Sequence, residues 1–158
     1  MTPFIYLKVF IIRMYKLFIK LGPMQEDYIL REIQKISVLL QRLVKMLVPV
    51  ALEEAEKDLE MVRTELCEEI GMEPENIVEM ELVDLLDKLK PENGFDIENA
   101  ELLADLLLEY AQKAKDVDVK MYKRILDLYE YVNETTKTYS FNREAKIMEA
   151  SKMISDKL

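Results

Sequence analysis

The chain has 158 residues, half of them hydrophobic and about a third charged, with a formal net charge of −9. That length supports one domain with a core of its own. The chain holds no histidine, no tryptophan, one cysteine (Cys67) and three glycines, Gly22, Gly71 and Gly94, which excludes Ser-His-Asp and Cys-His catalysis, zinc sites built on histidine or several cysteines, and glycine-rich phosphate loops.

Residues 1–23 stand apart. They carry Lys8, Arg13, Lys16 and Lys20 and no acid, so the rest of the chain sets 18 basic residues against all 31 acidic ones. Four cations interrupt the apolar run, which rules out a transmembrane span. Neither the clean apolar region nor the small-residue cleavage site of a signal peptide is present. Two readings are left. In the favoured one this is a leader foreign to the native protein, with the composition of translated AT-rich DNA, and the domain proper is 24–158. In the other, residues 1–21 form an amphipathic helix on a membrane surface, with Arg13, Lys16 and Lys20 on one face. The acidic body excludes nucleic acid as a partner, and anionic lipid for that part of the chain.

Residues 26–48 carry the strongest pattern. Ile29, Ile33, Ile36, Leu40, Leu43 and Leu47 step by four and three, an unbroken coiled-coil-like heptad stripe. Leu30, Leu39, Val44 and Met46 flank it, more apolar surface than one neighbouring helix covers. These six stripe residues are therefore the expected interface of a homo-oligomer. Pro49 breaks the phase, and a second helix follows with Leu52, Ala55, Leu59, Val62, Leu66 and Ile70 inside, ending at Gly71. Its eight acids between Glu53 and Glu69 lie mostly off that stripe and read as a solvated face. Cys67 reads as a small half-buried packing residue, and a single cysteine fits a reducing cytoplasm.

A shorter helix is predicted over Val78–Leu89, closed by Pro91 and Asn93-Gly94. Asp96 caps a largely buried helix over 97–115, Asp118 another through about Thr135, and Ser140 a last one to about Asp156. No segment alternates, so no strand is expected. The fold class is all-α, about six helices in one domain.

Asp116-Val117-Asp118 opens like a calcium loop, but Lys120, Met121 and Asp127 stand where an oxygen ligand, a glycine and a glutamate are needed. No metal and no cofactor is expected. Five of eight tyrosines fall in the last third. Tyr110, Tyr122 and Tyr129 read as packing, while Tyr131 and Tyr139 lie off the buried stripe and are candidate peptide contacts.

Residues 99–132, with Tyr110 and Tyr122 at positions where such repeats keep aromatics, resemble one degenerate tetratricopeptide helix pair, without a second copy. The opening Glu26-Asp27-Tyr28-Ile29-Leu30-Arg31-Glu32-Ile33, followed by the leucine-rich helix, resembles a family of small all-helical bacterial proteins of unknown function. That resemblance spans roughly 24–135 and implies a cytoplasmic helical protein beginning near Met24, with no catalytic residues. The combined expectation is a non-catalytic protein–protein interaction or scaffold protein that self-associates through helix 26–48. A carboxylate-based enzyme and a peripheral membrane protein anchored by residues 1–21 are the alternatives.

Overall fold

Prolines, glycines and short polar caps decide where each helix of this chain begins and stops. The computed structural model describes the backbone of residues 3–158 and the side chains of Ile11 and of residues 25–158. The amphipathic face expected around Arg13, Lys16 and Lys20 lies outside those described side chains. Helix α1 is Pro3–Leu47, and its heptad part ends where Pro49 forbids continuation. A 3-10 turn, Leu52–Glu54, leads into α2, Glu56–Ile70. Gly71 stops α2 in the left-handed conformation (φ 80°), its N–H closing on the Leu66 and Cys67 carbonyls.

Helices α3 (Pro74–Glu79) and α4 (Leu82–Lys88) follow. A second 3-10 turn, Pro91–Asn93, then ends at Gly94. Asp96 caps α5 (Ile97–Lys113), Asp118 caps α6 (Val119–Thr136) and Ser140 caps α7 (Phe141–Lys157), each side chain accepting a backbone N–H of the first turn. The fold is all-α, a single domain, with no strand among the described residues. No described helix is long and apolar enough to cross a membrane.

Helix α5 lies at the centre because it is apolar almost all round: Leu103, Ala104, Leu106, Leu107 and Leu108 are all buried. Helices α1 and α6 pack against it, and α7 covers α6 and the edge of α5. Five residues join α5 to α6, making the expected helical hairpin. Gly94 sits close against α1. A Cβ there would meet Ile36 Cγ1 at 2.5 Å and the Glu32 carbonyl oxygen at 2.8 Å, and φ is 87° besides. The buried Asn99 fixes the crossing, its Nδ2 donating to the carbonyls of Ile33 (2.9 Å) and Gly94 (2.7 Å).

Three expectations need correction. The helix expected over Val78–Leu89 is two helices: Pro74 and a Glu73–Asn76 capping box start α3 early, and Met80 and Glu81 are extended. Arg124 of α6 donates to the Val78 and Met80 carbonyls, replacing the hydrogen bonds a continuous helix would supply. Leu52 sits in the 3-10 turn, 62% exposed, so the buried stripe of α2 begins at Ala55. Cys67 is exposed rather than half-buried.

Candidate functional site

The six expected interface residues divide. Ile36, Leu40, Leu43 and Leu47 are buried in one core with residues of α2 and α5, among them Leu59, Val62, Leu66 and Leu103. Only Ile29 and Ile33, at the N-terminal end of the stripe, are half-buried. Of the flanking residues Leu39 is buried and Val44 and Met46 pack half-buried against the core, while Leu30 is 57% exposed; most of the seam is out of reach of a second copy.

Four of the five late tyrosines fall as their phase implies, and Tyr131, expected as an exposed contact off the buried stripe, packs against the core instead. Tyr110, Tyr122 and Tyr129 are buried, and Tyr131 is half-buried against the core. Tyr139 is 68% exposed at the α6–α7 corner. It meets a residue that sequence reasoning passed over. Phe141, 83% exposed at the first position of α7, stands edge-on to Tyr139 with ring centroids 5.0 Å apart and planes at 86°. Met148, 71% exposed, lies two turns along the same face of α7, with exposed Ala145 between them. An apolar first residue repeated at helical spacing by Ala145 and Met148 was the available signal.

A second feature is a cleft of about 410 Å³ where α2, α3 and the α5–α6 loop meet. Three short-range choices place its walls. Pro74 starts α3, Asp118 caps α6 by accepting the Lys120 N–H at 3.0 Å, and Asp116 takes a left-handed turn (φ 56°) beside it. Arg63 of α2 ties the walls together. Its Nη1 donates to the Tyr110 hydroxyl (2.8 Å), which donates to Glu75 Oε1 of α3 (2.9 Å). Arg63 is also paired with Glu60 one turn before it. Glu60 and the Tyr110 hydroxyl raise the Arg63 pKa above its ordinary value, so it stays charged.

Burial pushes the Tyr110 hydroxyl up to about 12, Glu75 adding to the shift and Arg63 opposing it. At neutral pH this tyrosine is a proton donor, and the three groups satisfy one another. Among the described residues, no group of three or more His, Cys, Asp or Glu side chains is gathered to hold a metal ion. Asp118 serves as a cap.

A pH dependence follows. Unfolded, Tyr110 loses its proton near pH 10, and folded only near 12, so between those values the folded chain holds more protons. Its contribution is complete below pH 10 and falls as pH rises to about 12, by roughly 2–3 kcal/mol. Tyr129, held up mainly by burial and also by Asp105, adds to the same alkaline loss. Tyr110→Phe should flatten its share of the decline in urea unfolding between pH 10 and 12, while costing about 1 kcal/mol at pH 7 for lost hydrogen bonds. An unchanged alkaline slope would remove Tyr110 from this account.

Comparison with protein-family models, with curated proteins and with solved structures finds no match to this chain.

Proposed function

We propose that the chain is a non-catalytic helical interaction or scaffold protein of the bacterial cytoplasm that self-associates through the outer face of α7. The exposed Tyr139–Phe141 pair carries this reading. Covering one phenylalanine side chain is worth about 1.5–3 kcal/mol, and aromatic residues concentrate in the anchoring centre of protein interfaces. Here the two rings brace each other edge-to-face at a corner fixed by the Ser140 cap, so little side-chain freedom is lost on contact.

Self-pairing suits the spacing. Two copies of α7 crossing antiparallel at Ala145, a small residue, set Phe141 of one copy beside Met148 of the partner subunit, and the reverse by symmetry. Thioether sulfur against an aromatic ring is favourable. The α5–α6 hairpin, read as tetratricopeptide-like, is the scaffold that holds this corner.

The test is sedimentation velocity on the wild type and on the double variant Tyr139→Ser, Phe141→Ser. The wild type should be dimeric at micromolar concentration. The variant should be monomeric with unchanged helical content, because both side chains are exposed in the folded chain. A wild type that stays monomeric, or a variant that stays dimeric, overturns this surface.

A further inference from the structure

The cleft between α2, α3 and the α5–α6 loop plays no part in the proposed association, and its lining is lopsided. Its floor is apolar: Leu59 and Met121 are buried and Val78 is half-buried. Its rim holds five acids against two bases, Arg63 and Lys115. The acids are not equivalent. Glu75 is engaged by Tyr110 and Asp118 by the start of α6. Among the described residues Glu56, Glu79 and Asp116 have neither a hydrogen bond nor an ion pair, and all three are exposed. Arg63 offers no surplus positive charge, because Glu60 already matches it.

A pocket with free carboxylates over an apolar floor suits a ligand with a positive head and a carbon body. A bare metal ion gains nothing from Leu59, Val78 and Met121, and no set of three donors is gathered for one. The volume decides between a molecule and a polypeptide. About 410 Å³ lies at the small-molecule end of the roughly 300–1,000 Å³ common to ligand pockets. The helical walls are also preformed, since the Arg63–Tyr110–Glu75 chain joins α2, α5 and α3, so binding need not order them first.

We propose that this cleft binds a small organic cation, an alkyl amine. Its carbon chain lies over Leu59, Val78 and Met121, and its ammonium is met by Glu79 and Asp116. The acidic body draws such a cation in, and the apolar floor separates it from an inorganic ion of equal charge.

Calorimetric titration of the full chain with spermidine tests this. One site is expected, with a dissociation constant on the order of 10–100 μM at low salt. The double variant Glu79→Gln, Asp116→Asn should weaken binding at least tenfold and leave the melting temperature unchanged, since neither side chain has a partner in the fold. The control Glu53→Gln, Glu68→Gln removes two exposed acids outside the cleft and should leave binding as it was. Absence of binding at millimolar spermidine overturns the proposal. So does an equal loss in both double variants, which would show a diffuse field without a site. Displacement of spermidine by equimolar magnesium would show a site for bare charge and overturn it too. A blocked lysine peptide binding as tightly as spermidine would overturn the small-molecule assignment.

Discussion

Leu40→Asp is expected to unfold the chain rather than to split an assembly. Leu40 is wholly buried, at the middle of the α1 stripe, in one core with Leu59, Val62 and Leu103. Removing a buried leucine alone costs about 2–5 kcal/mol. The aspartate adds a carboxylate with no described cation beside it, which either takes up a proton or stays charged at several kcal/mol more. A domain of this size holds about 5–15 kcal/mol in total. Circular dichroism at 25 °C should therefore show most of the helical signal lost, and Leu40→Ala should lower stability by about 2–5 kcal/mol in urea. A folded Leu40→Asp monomer with native helix content would return the seam to contact between copies.

That contrast shows how far the sequence is readable here. The step of four and three from Ile29 to Leu47 states which face of α1 is apolar, because periodicity is a property of one helix. It does not state which chain covers that face. The answer lies in α5, more than fifty residues on, whose leucines at 103, 106, 107 and 108 are buried in one core with the stripe of α1. Caps were legible for the same local reason. Gly71, Asp96, Asp118 and Ser140 each act within a turn of their own position.

The α3–α4 break was not legible, because the group that stabilises it, Arg124, stands over forty residues away on α6. The cleft is hidden likewise: Arg63, Glu75 and Tyr110 are brought together only by tertiary packing, and each alone reads as a surface charge or a packing ring. Phe141 stood in plain view, but its meaning depends on whether α7 leaves it covered. It does not.

Arg143→Ala should be the most damaging change of a charged residue. Arg143 lies in the first turn of α7 and is only 6% exposed. Its Nε and Nη2 donate to the two oxygens of Glu101 on α5, at 2.7 and 3.3 Å. Its Nη1 donates to Asn133 Oδ1 on α6 (2.8 Å) and to the Thr138 carbonyl in the corner (3.2 Å). One guanidinium therefore joins three helices, a task its planar fork suits and a lysine ammonium does not. Glu101 raises the Arg143 pKa above its ordinary value against the opposing effect of burial, so the guanidinium stays charged.

Breaking such a pair from one side costs about 3 kcal/mol, the low end for a buried pair, because the Glu101 side chain left without its counter-charge is 28% exposed. Helix α7 should feel this first. Its fully buried residues are Arg143 and Ala150 alone, and its remaining ties include Lys146–Asp105 (2.9 Å) and a Gln112–Glu149 hydrogen bond. In Arg143→Ala, amide exchange should speed up along α7 while the α5 amides stay slow, and the urea midpoint should fall in step. Arg143→Lys should recover less than half the loss. The pair Arg143→Met with Glu101→Leu should recover most of it, since an apolar pair of similar volume leaves no charge stranded. Because α7 presents Phe141 and Met148, Arg143→Ala should also weaken the self-association proposed for that face, whereas the Met–Leu pair should restore it. A loss below about 1 kcal/mol would show that Glu101 is well solvated without its partner, and that α7 is held by Ile147, Met153 and Ile154 against the core instead.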